Sequence, residues 1–112
     1  TIFVGHTFIY NPALPVLKQQ IEKPEFGKIL YIESARQNLG LFNSKSDVLW
    51  DLAPHDFSII IDILGRMPKK VSCKAYKHLT NQADTAEVIL DFGDCQSFSH
   101  LSWLYPTKIR KL

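Results

Sequence analysis

Apolar and polar side chains change their spacing several times along the chain, and each change marks an element. Residues 2–10 are rich in β-branched and aromatic types and read as a strand with its exit. Asn11 and Pro12 then signal a helix start, since Asn can cap and Pro fits the first helical position. Over residues 13–22, Leu14, Leu17 and Ile21 recur on one helical face, and Pro24 stops the run. Residues 28–37 alternate, with Leu30, Ile32, Ser34 and Arg36 against Ile29, Tyr31, Glu33 and Ala35, which predicts a strand with one strongly apolar half. Residues 38–46, rich in Asn, Gly and Ser, predict a loop.

Val48–Leu64 returns to helical spacing and ends at Gly65 and Pro68. Pro54 lacks an N–H and is comfortable only in a first turn, so the regular helix is expected to begin close to Trp50 or Asp51. Residues 70–79 alternate again. Val71, Cys73, Ala75 and Leu79 are expected to face inward, and Ser72, Lys74, Tyr76 and His78 outward. After a loop over 80–84, residues 85–92 and 95–105 read as two strands joined by the two-residue turn Gly93-Asp94, where Gly can supply a positive φ.

The order is strand, helix, strand, helix and three strands, the last three pairing as an antiparallel meander. This predicts an α+β fold: an open, mostly antiparallel sheet with helices on one face. The other face would carry Tyr76 and either Trp103 or Leu104. A half-apolar open face on a small domain marks a subunit contact, so a homo-oligomer is expected through it.

Composition narrows the picture. The chain's 112 residues suit one domain over 1–112, and 46% apolar against 21% charged residues is ordinary for a globular protein. A net charge of +2 implies no nucleic-acid partner without a concentrated basic patch. No apolar stretch approaches the roughly 20 residues of a membrane helix. Cys73 and Cys95 are the only cysteines. They make no disulfide scaffold, and a reduced, cytoplasmic setting is expected. The chain opens on Thr1 within a strand-like run and stops as another finishes, which reads as a piece of a longer chain.

The chemistry with most promise lies on the second helix. Asp51, His55, Ser58 and Asp62 fall at i, i+4, i+7 and i+11, one stripe opposite Ala53, Phe57, Ile60, Ile61 and Leu64. An imidazole titrates near neutral pH and can accept and return a proton, and a neighbouring carboxylate can fix its tautomer. The plain alternative is a wet polar face on an amphipathic helix. Asp56 lies toward the apolar side, where it must either cap backbone or pair with a base such as Arg36. Scattered His and Cys residues lack metal-ligand spacing. The five glycines stand apart, with no Gly-x-Gly-x-x-Gly turn.

An ordered set of strings spans nearly the whole chain: Val4-Gly5-His6-Thr7-Phe8, Tyr10-Asn11-Pro12-Ala13, Phe26-Gly27-Lys28-Ile29, Trp50-Asp51-Leu52-Ala53-Pro54-His55-Asp56, Ile63-Leu64-Gly65 and Ser102 through Arg110. The set resembles the substrate half of the Gfo/Idh/MocA oxidoreductases, relatives of glucose–fructose oxidoreductase and inositol dehydrogenase. The resemblance implies a parent with an N-terminal Rossmann domain, absent here, that binds NAD or NADP, while no cofactor is expected on this chain. It also implies that the sheet is truncated at its end. The family's Asp-x-x-x-His pair maps onto Asp51 and His55, with His55 exchanging a proton with a sugar hydroxyl and Asp51 orienting substrate or His55. Where many members carry an Asp three residues past the His, this chain has Ser58.

The same motifs put Tyr10 and Trp50 among the substrate-binding candidates. The run from Trp103 resembles members that handle nucleotide-linked sugars, with Lys108 and Arg110 placed to meet a diphosphate. Glu22-Lys23-Pro24 copies a catalytic tripeptide of the family's cofactor domain, but it follows the first helix and reads as a helix end. The rival reading is a non-catalytic sugar-binding or oligomerisation module.

Overall fold

A computed structural model describes residues 1–40, 42 and 45–112. Its elements are α1 (Ala13–Ile21), β1 (Tyr31–Leu39), α2 (Val48–Leu64), β2 (Lys70–Tyr76), β3 (Thr85–Asp91), β4 (Gln96–Ser102) and β5 (Leu104–Lys111), with short 3-10 turns at Thr7–Tyr10 and Pro24–Phe26. The strands form one open sheet in the order β2-β3-β4-β1-β5. β1 and β4 run parallel, and the other neighbours are antiparallel. The expected α+β class and the β2-β3-β4 meander are both present.

Local chemistry sets the long helix. The Asp47 side chain accepts a hydrogen bond from the Trp50 amide at 3.0 Å, and Gly65 closes the other end at φ 63°, donating its N–H to Ile61 O at 2.8 Å. This cap starts the helix at Val48, a few residues earlier than Pro54 suggested. Pro54 therefore sits inside the helix. α2 lies across β4, β1 and β3. Val48, Leu52, Ala53 and Ile60 bury themselves against Ala86, Val88, Leu90 and Leu101. The small side chains of Ser34, Ser97 and Ser99 are buried too, and their size allows close approach at the middle of the sheet.

Three further expectations need correction. Residues 2–10 form no strand: Ile2, Phe3 and Val4 are exposed, and the segment ends in the 3-10 turn Thr7–Tyr10. β-propensity alone does not make a strand without a neighbour to pair with. On β2, Val71, Cys73 and Ala75 do share the sheet face of Leu90, Val88 and Ala86, yet every β2 residue is exposed, because the strand is an edge that α2 does not cover. Leu79 lies past its end.

The third correction concerns residues 95–105, which are not one strand. β4 ends at Ser102, the chain bends at Trp103, and β5 returns along the far side of β1. Trp103 crosses the end of β1 there, accepting the Gly40 N–H on its carbonyl at 2.8 Å. It is 2% exposed and belongs to the core, not to the open face. Of the loop expected over 38–46, Leu41, Asn43 and Ser44 lie outside the described residues.

Candidate functional site

The crossing at Trp103 assembles the site. It delivers β5 to the free edge of β1, with Arg110 directly beside Arg36 on the face that carries α2. One cavity of about 180 Å³ results. Its wall takes Arg36 and Asn38 from β1, Asp51 and His55 from α2, and Lys108 and Arg110 from β5. Four residues singled out from sequence thus share one cavity. The other two do not line it: Tyr10 and Trp50 are 71% and 78% exposed.

The stripe on α2 divides along its length. Asp62 pairs with Lys18 of α1 at 2.8 Å, and Ser58 donates its hydroxyl to the His55 carbonyl at 2.9 Å. Asp51 accepts the indole N–H of Trp103 at 2.9 Å. His55, one turn on, packs its ring on Phe8 with centroids 4.8 Å apart. Burial of the ring, then the nearby Arg36 guanidinium, holds the His55 pKa below the ordinary imidazole value, against the opposing pull of Asp51 and Asp56. The imidazole is therefore neutral near pH 7 and able to accept a proton.

Asp56 finds its partner in Arg36, the second of the two options its position left open. Arg36 Nε donates to Asp56 Oδ1 at 2.8 Å, its Nη2 donates to the same oxygen, and both residues are buried. The Arg36 guanidinium lies over the Phe8 ring, its Cζ 4.6 Å from the centroid, and Arg110 approaches the same ring at 5.6 Å. Because Asp56 balances Arg36, Lys108 and Arg110 leave the cavity cationic. Asn38 Oδ1 is buried, closed to solvent and without a hydrogen-bond partner. Asp51, Lys108 and Arg110 together suit a ligand with hydroxyls and a negative charge.

Sequence reasoning passed over Phe8, Asn38 and the indole of Trp103. Phe8 stood among the aromatic residues of the 2–10 segment, and nothing in its spacing pointed to a site on α2. Among the described residues no group of three or more His, Cys, Asp or Glu side chains is placed to hold a metal ion, and no helix is long and apolar enough to cross a membrane.

Comparison with known proteins places the fold. The chain overlays a protein named as an oxidoreductase from Magnetospirillum magnetotacticum MS-1 with a TM-score of 0.84 and 27% identity, covering 96% of this chain and 36% of that one. UDP-N-acetylglucosamine 3-dehydrogenase GnnA from Acidithiobacillus ferrooxidans matches with a TM-score of 0.78 and 25% identity over 97% of this chain and 35% of its own. GenD2 from gentamicin A biosynthesis, solved in complex with NAD, shares the fold with a TM-score of 0.77 at 18% identity, over 91% of this chain and 33% of its own. The chain thus spans about a third of the length of these structures. No curated protein sequence matches it. The model of the GFO/IDH/MocA C-terminal domain matches residues 16–110, and the chain belongs to that family.

Proposed function

We propose that this domain is the substrate side of an NAD(P)-dependent oxidoreductase that interconverts a hydroxyl and a ketone on a sugar, cyclitol or nucleotide-linked sugar, with a nucleotide-linked sugar favoured. The observation that carries the reading is the shared cavity, in which a neutral imidazole and a carboxylate from α2 face Lys108 and Arg110 from β5. His55 takes the proton of the reacting hydroxyl, or returns it in the opposite direction. Asp51 accepts a hydrogen bond from a sugar hydroxyl. Lys108 and Arg110 meet the diphosphate, Arg110 with the forked geometry that suits phosphate oxygens. The sugar dehydrogenase among the structural neighbours, whose name specifies a UDP-linked substrate, supports that choice.

This chain's own residues do not fit a dinucleotide: its glycines are isolated, and none forms the pyrophosphate-binding turn after a strand. The cofactor belongs to an N-terminal Rossmann domain of the parent protein, acting in the cytoplasm. The open sheet face, with exposed Tyr31, Tyr76, Ile89 and Phe98, serves a second copy in a homo-oligomer.

The test is made in the parent enzyme with UDP-N-acetylglucosamine as substrate. His55→Ala should lower turnover by about 10²- to 10⁴-fold at similar cofactor affinity. Arg110→Gln should raise KM for the sugar nucleotide and leave cofactor affinity alone. Turnover unaffected by His55→Ala would reject the role.

A further inference from the structure

Asp51 and His55 sit one helical turn apart, the spacing at which a carboxylate and an imidazole can pair. The structure spends the carboxylate differently. Asp51 Oδ2 accepts the Nε1–H of Trp103, 52 residues further along the chain, at 2.9 Å. The His55 ring instead rests on Phe8. We propose that Trp103 is a positioning residue: its indole holds one oxygen of Asp51, so that the other serves a hydroxyl of the bound sugar and the carboxylate stays off the His55 ring. This rests on the reading of the site above and separates the roles of its two residues.

The case begins with how firmly the indole is held. The Trp103 amide donates to Asp84 O and its carbonyl accepts from Gly40 N, both at 2.8 Å. Phe42 meets the indole edge-on, with centroids 6.0 Å apart. A Cβ at Gly40 would lie 2.5 Å from Trp103 Cγ, so the ring occupies the space that the missing side chain leaves. A tryptophan 2% exposed needs a partner for its single N–H, and Asp51 supplies it.

The acceptor's side of the bond matters as much. An ionised carboxylate offers about four lone-pair sites on two oxygens. Trp103 uses Oδ2, while Asp51 itself lines the cavity. Oδ1 is then the oxygen left to accept from a ligand hydroxyl. The bond also has a directional consequence. Were the indole absent, the carboxylate could swing one turn along α2 to His55 and favour the imidazolium. Trp103 thus keeps His55 a free base as well as aiming Asp51.

NMR on the 112-residue chain tests the link without ligand. Trp50, 78% exposed, is the internal control. The Trp103 indole N–H should exchange far more slowly than that of Trp50, and Asp51→Asn should move its proton shift and speed its exchange. Trp103→Phe should raise the His55 titration midpoint, and the double variant Trp103→Phe/Asp51→Asn should not. An indole signal indifferent to Asp51→Asn overturns the proposal, even if Trp103→Phe fails to fold. So does a rise of the midpoint that persists in the double variant, which would mark altered burial alone.

Calorimetry with UDP-glucose then tests the ligand role. Asp51→Asn and Trp103→Phe should each weaken binding about tenfold, the scale of one charge-assisted hydrogen bond, and His55→Ala much less. Undiminished binding by Asp51→Asn overturns the ligand role. No binding by the unaltered chain overturns the reading of the site instead, and the ligand-free spectra still judge the indole–carboxylate bond.

Discussion

Arg36 of β1 and Asp56 of α2 form a buried ion pair beneath the site, with Arg36 Nε 2.8 Å from Asp56 Oδ1. Both charges lie out of water, at 6% and 2% exposure, so each depends on the other for its solvation. Asp56 Oδ2 is buried with no hydrogen-bond partner, which makes the bond at Oδ1 the main compensation for the carboxylate. Asp56→Ala would strand a buried guanidinium and should cost about 3–5 kcal/mol in urea unfolding. Replacing both members with apolar residues, Arg36→Met with Asp56→Leu, should recover most of that loss. A double variant as unstable as Asp56→Ala would show that the pair's charge is not what the fold depends on.

His55 gives a pH dependence of known sign. Burial and then Arg36 depress its pKa in the folded state. The unfolded chain therefore binds the proton more readily, and stability rises with pH between the two values. The contribution is fully present above the unfolded imidazole value of about 6.5 and is lost as pH falls through the folded value. Phe8→Ala, which uncovers the ring, should move the His55 midpoint up toward the ordinary value in an NMR titration, and Arg110→Gln should do so more weakly. A midpoint that stays put in Phe8→Ala would show that Phe8 does not supply the burial.

What could be read from the residues was mostly what short-range chemistry decides. Gly65 after a helical run and Gly93-Asp94 between two alternating runs act within a few positions, and both work as their spacing implies. In the turn, Gly93 takes φ 97° and donates its N–H to Asp91 Oδ1 at 2.8 Å. The stripe from Asp51 to Asp62 was legible for the same reason. The bend at Trp103 was not. It depends on Gly40, 63 residues earlier in the chain, where an absent side chain leaves room for the indole. Without that bend the chain past Ser102 reads as one continuing strand, and nothing brings Lys108 and Arg110 to the edge of β1 beside α2. Asp56 shows the intermediate case: its place on the helical wheel flagged a need for a partner, and only the parallel pairing of β1 with β4 beneath α2 singles out Arg36.

The two thiols should respond differently to a disulfide reagent. Cys95 is 1% exposed at the start of the β4 hairpin, while Cys73 stands on the uncovered edge strand β2. Burial, then the negative charge of Asp47, pushes the Cys73 thiol above its ordinary value, so its reaction should be slow at pH 7 and quicken as pH rises. At pH 8 one thiol should react in the folded chain, and the second only after denaturant is added. Prompt reaction of both would place Cys95 outside the core.

Gly40→Ala tests the crossing that builds the site. The added methyl would lie 2.5 Å from Trp103 Cγ and 2.7 Å from Cβ and Cδ1, all atoms of a side chain whose backbone is pinned on both sides. The indole cannot yield without loosening its bond to Asp51, and the β1–β5 pairing that starts beside it at Leu39 and Leu104 is strained as well. Overpacking of this kind costs about 1–3 kcal/mol. The loss should appear as a lower urea midpoint together with a change in the fluorescence of the buried tryptophan, while Gly5→Ala, where a Cβ meets nothing within 4 Å, should alter neither. Equal stability of the two alanine variants would mean that the ring does not sit against Gly40, and the route by which β5 reaches the cavity would have to be redrawn.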